Sequence, residues 1–199
     1  MTERLGGLRA FLREAAALKD HTRNSWTRGG RRESVAEHSW RVALIALALR
    51  EADPTTRAET DAGRLLALCL VHDLGEALAG DVPAATRPDR AEKAARERAD
   101  LATLLAPAPT EMRAALSALW EEHEAGETPE ARLSRAADKL ETVMQHVEGE
   151  NPPGFDYAFN LAYGREATDA HPLAAALRRL VDAETEARAA GAGPRGAAE

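Results

Sequence analysis

The chain of 199 residues has a single cysteine, only 4% aromatic residues and no long uncharged apolar run. One cysteine, Cys69, excludes an intrachain disulfide framework and a cysteine-rich zinc site. No stretch approaches the ~18 apolar residues that a membrane-spanning helix requires. The N-terminal sequence MTERLGGLRAFLREAA carries charges throughout and lacks the apolar centre of a signal peptide. These absences predict a cytoplasmic protein that does not enter a membrane.

Basic runs are also absent, and the formal net charge is −7 with a sequence pI near 5.5. Binding of long nucleic acid requires many phosphate contacts from lysine and arginine, so this class of partner is not expected. A local basic pocket for one small phosphate remains compatible with the composition.

The apolar residues that are present, 44% of the chain, are mainly alanine and leucine. Few of them are β-branched or aromatic, which favours helices packed on helices over sheets. The sequence therefore predicts an all-α fold, a compact bundle of several helices. It further predicts a single domain over residues 1–189 and a disordered tail over 190–199.

Apolar periodicity and Pro/Gly punctuation predict the helices. Ser34 and Glu37 form a capping-box pattern at the start of one of them. The segment between the first two helices is polar and rich in arginine, and it is predicted to be a loop; strand patterns are essentially absent. The predicted helices cover residues 5–18, 34–50, 60–74, 89–105, 109–124, 129–148, 155–164 and 172–189.

Polar residues interrupt three of these apolar segments. His72 and Asp73 follow the apolar run 65–71, His38 begins the apolar helix in SVAEHSWRVALIALAL, and Asp138 lies on the apolar face of LSRAADKLETVMQ. Burying carboxylates is costly without a cation or a hydrogen-bonding partner. Two imidazoles and two carboxylates suit Mn²⁺, Co²⁺, Fe²⁺ or Zn²⁺ and leave coordination positions open, as in catalytic sites. The alternative for His72 and Asp73 is a polar pair at a water-exposed helix end.

The order of these residues resembles the HD-domain metal-dependent phosphohydrolases. Three sequence motifs resemble the 5′-deoxynucleotidase branch of that superfamily: ESVAEHSWRVA, VHDLGEALAGDVP and ADKLE. The resemblance covers roughly residues 8–165. The resemblance implies an HD-domain bundle with one divalent metal ion (Mn²⁺, Co²⁺, Fe²⁺, Zn²⁺ or Mg²⁺). It implies four protein ligands to that ion: His38, His72, Asp73 and Asp138.

The same resemblance implies that Glu76 is the catalytic glutamate and that Asp81 assists in the active site. Glu76 follows Asp73 by three residues, about one helical turn, so both side chains can face one cavity. A carboxylate beside the metal can orient or deprotonate the attacking water. The alternatives are an ordinary exposed glutamate at 76 and a turn or cap residue at 81.

Two-metal members of the superfamily carry extra histidines between the HD pair and the last aspartate. Here only His123 lies in that interval, in the highly charged segment WEEHEAGETPE, where we expect it to be exposed. A single metal ion is therefore predicted. His21, His146 and His171 have no comparable context and are left without a role.

In the deoxynucleotidase branch an arginine and a tryptophan ahead of the first histidine hold the phosphate and the sugar. Arg23 and Trp26 match them. A guanidinium pairs with phosphate through two N–H donors, and an indole packed on the deoxyribose excludes a 2′-hydroxyl. Phosphate binding by another arginine of the segment, or a merely solvated basic loop, are the alternatives; the other arginines are Arg28, Arg31 and Arg32.

The expected function is hydrolysis of a nucleoside 5′-monophosphate, preferably deoxy, to nucleoside and phosphate. The expected partner is this small nucleotide, and the resemblance implies a homodimer. One alternative keeps the site but acts on nucleoside di- or triphosphates or on a modified nucleotide of specialised metabolism. The other is a nucleotide-sensing protein without catalysis, which is disfavoured because Glu76 and all four ligands are present.

Overall fold

The computed structural model describes residues 1–83, 86 and 89–191, and most of the predicted tail lies outside them. The regular structure of the described residues is helical apart from one short hairpin, and this confirms the all-α fold class. Short 3₁₀ helices follow α1 and α4. The α-helices are α1 (Thr2–Ala15), α2 (Val35–Ala52), α3 (Pro54–Glu59), α4 (Ala62–Val71), α5 (Arg90–Leu105), α6 (Thr110–Ala125), α7 (Pro129–Glu148), α8 (Tyr157–Ala162), α9 (Arg165–Asp169) and α10 (Pro172–Ala189).

The capping box predicted at Ser34 is present in the structure. The Ser34 hydroxyl accepts a hydrogen bond from the Glu37 amide, and the Glu37 carboxylate accepts one from the Ser34 amide. This capping box begins α2 and holds the following turn, which carries His38, in a defined orientation.

Helix boundaries differ from the prediction at several places. Pro54 ends α2 but also begins α3, because Asp53 caps the new helix and proline is tolerated in its first turn. Helix α4 ends at Val71, and the chain continues as a 3₁₀ turn over Leu74–Glu76. The predicted helix 155–164 is the shorter α8, and α9, which was not predicted, begins after Gly164, whose φ of +69° is left-handed.

The arginine-rich segment predicted to be a loop is a β-hairpin. Strands β1 (Thr22–Trp26) and β2 (Arg32–Ser34) pair antiparallel, with Trp26 opposite Arg32. The buried side chains of β1 are Arg23 and Ser25, both polar, so no alternation of apolar and polar residues marks the strand in the sequence. The hairpin packs against α7, since the Gln145 side chain donates to the Trp26 carbonyl.

Helices α2, α4 and α7 pack against one another and form the centre of the fold. One apolar cluster, which includes Leu65, Leu133 and Leu140, fills the space between them and α10. A second cluster, around Trp120, joins α5 and α6 to the end of α4. In the described part of the chain, none of the helices combines the length and apolar character that a membrane crossing requires.

Candidate metal and active site

Three central helices bring the predicted ligand residues together. His38 lies in the first turn of α2, His72 and Asp73 directly follow α4, and Asp138 lies midway along α7. The His38 Nε2 atom is 3.3 Å from Asp138 Oδ1 and 3.6 Å from Asp73 Oδ2. The His72 Nε2 atom is 3.2 Å from the same Asp73 oxygen. Helix packing therefore gathers donors that lie 100 residues apart, and the exposed-pair alternative for His72 and Asp73 is wrong.

The donor atoms of this cluster fit a divalent cation. His72 donates its Nδ1–H to the Cys69 carbonyl, so Nε2 carries the lone pair and faces the cluster. Within the described residues, the Nε2 atoms of both histidines and Oδ2 of Asp73 are buried without a hydrogen-bonding partner. Possible ligand atoms of His38, His72 and Asp138 lie within 4.8 Å of one another. Nitrogen and oxygen donors this close together suit a borderline divalent ion.

A buried carboxylate supports His38 from behind. The His38 Nδ1 atom donates to Glu141 Oε2 at a distance of 2.5 Å, and both side chains are inaccessible to solvent. Burial opposes ionisation, but His38 and nearby arginines outweigh it and lower the pKa of Glu141. Glu141 was not among the predicted site residues. Its position three residues after Asp138, on the same helical face, is the pattern that could have indicated it.

Glu76 lies in the cleft next to the cluster and is only 3% exposed, so the alternative of an exposed glutamate is excluded. Burial, together with the charges of Asp73 and Asp81, raises the pKa of Glu76 to about 8. Its Oε1 is 3.4 Å from Lys93 Nζ. A cation bound by the cluster would lower this pKa again, because it stabilises the ionised carboxylate. Asp81 lines the same cleft.

The cleft has a volume of about 1100 Å³, and both residues predicted to bind substrate line it. The buried Arg23 guanidinium lies 3.7 Å from Asp73 and donates to Thr142 Oγ1. The Trp26 ring meets Phe155 edge to face, with centroids 6.1 Å apart.

The three arginines that were the alternatives for phosphate binding contact other groups of the protein. Arg28 pairs with Glu148, Arg31 pairs with Glu37, and Arg32 donates to the Arg23 carbonyl.

His123 is buried, contrary to the expectation that it is exposed. It lies in the last turn of α6 with 5% exposure, and its ring centroid is 5.1 Å from that of His72. Burial lowers the pKa of His123. The charged residues on either side concealed this placement, because only the packing of α6 against α4 and α7 turns His123 inward.

A sequence profile described as "HD domain" matches residues 15–178. The bovine 5′-deoxynucleotidase HDDC2 is 32% identical over 188 residues, covering 92% of this chain and 87% of its own length. The crystal structure of a predicted metal-dependent phosphohydrolase from Magnetospirillum magnetotacticum MS-1 is 33% identical. It superposes with a TM-score of 0.76 over 92% of this chain and 94% of its own. The chain belongs to the HD-domain family.

The chain contains one histidine–aspartate dipeptide, His72-Asp73, which directly follows α4. Another solved structure of similar fold, the cyanophage S-2L HD phosphohydrolase DatZ, is described as bound to dA and one catalytic Zn²⁺ ion. It is 21% identical, with a TM-score of 0.52 over 90% of this chain and 96% of its own, and therefore supports the fold alone.

Proposed function

We propose that this HD-domain protein hydrolyses nucleoside 5′-monophosphates, preferably deoxy, to nucleoside and phosphate. Two imidazoles and two carboxylates converge beside the cleft that holds the buried Glu76, and this convergence carries the proposal. The 5′-deoxynucleotidase name of relatives about one-third identical supports it.

In this proposal one divalent ion would be held by four residues: His38, His72, Asp73 and Asp138. The nitrogen and oxygen donors suit Mn²⁺, Co²⁺, Fe²⁺ or Zn²⁺, with Mg²⁺ as a harder alternative. The chemistry supplied by such an ion is Lewis-acid polarisation of the phosphate and activation of water. The Cys69 carbonyl also supports metal binding, because it accepts the Nδ1–H of His72 and so fixes the tautomer of that ring.

The other cleft residues then act on the water and the phosphate. The Glu76 carboxylate orients the attacking water and accepts its proton, while Asp81 adds a second acceptor at the same wall. The Arg23 guanidinium donates to the phosphate and compensates its charge. Its present contacts to Asp73 and Glu33, at 3.7 and 3.8 Å, are longer than optimal hydrogen bonds, so N–H groups remain available.

A panel of deoxy- and ribonucleotides, assayed with Mn²⁺, Co²⁺, Mg²⁺ and Zn²⁺ in turn, tests the proposal. Phosphate and pyrophosphate are measured separately, with mono- and triphosphates as substrates. Release of phosphate from monophosphates is expected. Pyrophosphate release from triphosphates without phosphate release from monophosphates would contradict the proposal and support the alternative substrates, and absence of all turnover would support a sensor.

Replacing Trp26 by alanine should reduce discrimination against ribose. If the indole packs on the sugar, a ribonucleotide must bury its 2′-hydroxyl without a partner, at a cost of ~1–3 kcal/mol, or roughly a ten- to hundredfold deoxy preference. The ratio of kcat/KM for dAMP and AMP measures this preference. Arg23→Ala should instead weaken the binding of dAMP and AMP equally, because both substrates carry the same phosphate group. Equal wild-type values for dAMP and AMP would contradict the role of Trp26.

Replacing Glu141 should weaken metal binding without removing a ligand. The carboxylate holds His38 with Nε2 toward the cluster, and loss of such a partner typically costs 10–100-fold in metal affinity. Titration of the metal-free protein with Mn²⁺ should show this loss for Glu141→Ala and a smaller one for Glu141→Gln. Glu148→Gln, on the same helix but paired with Arg28 and Arg41, is the matched control. An unchanged Mn²⁺ affinity in Glu141→Ala would refute the role of Glu141 in positioning His38.

The family resemblance also supports a homodimer. Trp40 and Leu44 lie one turn apart on α2 and are 67% and 50% exposed, which offers an apolar surface for a second copy. Sedimentation analysis of the wild type and of Trp40→Glu tests this proposal.

A nucleotide substrate and a single free cysteine, Cys69, are consistent with a cytoplasmic location.

A further inference from the structure

His123 is the histidine of the cleft that has no explained partner. It is buried, it lines the cleft beside His72, and neither of its ring nitrogens has a hydrogen-bonding partner within the described residues. The nearest carboxylate oxygen, of Glu124, is 3.6 Å from Nδ1, which is too long for a hydrogen bond. Buried polar groups are normally paired, so an unpaired imidazole facing a cavity indicates that a ligand completes its bonding.

The histidines outside the metal cluster show the contrast. His146 is held by Ser25 and Asn160, with distances of 3.1 and 2.9 Å. His171 caps α10 and contacts Thr56, and His21 contacts the Ala77 carbonyl. Each of these rings has a structural partner through at least one nitrogen. His123 differs from all three, so a purely structural role does not account for it.

The position of His123 favours the substrate phosphate over the metal as its partner. Among the described residues, the groups of donors close enough to share one ion do not include His123. Its ring lies against His72, tilted by 49°, and therefore next to the end of the cleft where the phosphate must sit for hydrolysis. Arg135 donates to the carbonyls of His123 and Glu124, which holds this last turn of α6 in place.

We propose that His123 is a substrate-binding residue whose ring N–H donates a hydrogen bond to the phosphate group. This inference rests on the proposed function, which places a phosphate monoester at the metal cluster. The hydrogen bond would act alongside Arg23, which reaches the same end of the cleft from β1. The phosphate would thus be held from two sides, by the hairpin and by α6.

The test measures phosphate binding separately from turnover. Mn²⁺-loaded wild type, His123→Phe and His123→Asn are titrated with inorganic phosphate, and broadening of the phosphorus resonance by Mn²⁺ reports the affinity. Hydrogen bonds to charged groups are typically worth about tenfold or more in affinity. His123→Phe should bind phosphate about tenfold more weakly and show a comparable rise in KM for dAMP. His123→Asn should recover part of both because its amide donates.

Two controls keep the result specific. Mn²⁺ affinity should be the same in all variants, and His171→Asn, away from the cleft, should bind phosphate like the wild type. Where His123→Phe fails to fold, His123→Leu replaces it as the variant without a donor.

Unchanged phosphate affinity in the variant without a donor would overturn the inference, as would a tenfold loss of Mn²⁺ affinity, which would make His123 a metal ligand. A wild type that binds phosphate but hydrolyses no monophosphate would refute the proposed function. Weaker phosphate binding by His123→Phe would still support the contact in that case.

Discussion

Glu76→Ala is expected to lower kcat by ~10²–10⁴-fold while the protein still binds its metal, because general acid–base groups typically contribute that much. The side chain is buried next to the cluster, but in the proposal it is not one of its four ligands. Stopped assays of phosphate release from dAMP measure kcat, and elemental analysis measures bound metal. Glu76→Gln should be nearly as impaired, since an amide orients water but cannot accept its proton.

The matched control is Glu121→Ala, which removes an exposed glutamate paired with Arg98 on the protein surface. Its kcat should equal that of the wild type. Less than a few-fold loss in Glu76→Ala would show that Glu76 does not act on the attacking water. Loss of metal together with activity would instead make Glu76 a ligand.

Asp73→Ala should abolish both metal binding and turnover. The Oδ2 atom of Asp73 lies close to the imidazoles of both His38 and His72. Removing this carboxylate therefore deletes a metal-binding oxygen between α2 and the end of α4. Binding to the native state alone stabilises a protein by about 2.7 kcal/mol at a ligand concentration of one hundred times Kd. For a chain of this length that corresponds to a rise in Tm of roughly 5–10 °C.

Thermal unfolding with and without Mn²⁺ measures this effect. The wild type should show the rise, Asp73→Ala should show none, and a chelator should remove it from the wild type. Asp61→Asn, which alters only the N-cap of α4, should respond to Mn²⁺ like the wild type. A full Mn²⁺ shift in Asp73→Ala would refute the proposed ligand set.

The sequence predicts the helical part of the fold because the determinants there are local. Caps such as Ser34 with Glu37, and apolar spacing along α2 and α7, act within a few residues, so they are visible without any neighbour. The grouping of His38, His72, Asp73 and Asp138 could likewise be anticipated, since each interrupts an apolar face. Their roles depend on the resemblance to the HD family.

The β-hairpin depends on contacts that are distant in sequence. Arg23 and Ser25 are buried in β1 because they face Thr142 and His146 of α7, 119 and 121 residues away. No local apolar pattern accompanies such a strand, so its residues resemble a solvated loop. Because the buried residues of β1 are polar, the sequence gives no strand pattern for the one sheet in the described part of the chain.

What the sequence alone determined is the all-α class and most helix positions, because propensity, capping and periodicity are short-range; it also indicated the residues that we propose to hold the metal. What only the tertiary structure decided is which polar side chains are buried together. Glu141 becomes the partner of His38 through the packing of α2 on α7. His123 becomes a cleft residue through the packing of α6 on α4. Burial of a polar group depends on which helix covers it, and that information is spread over the whole chain.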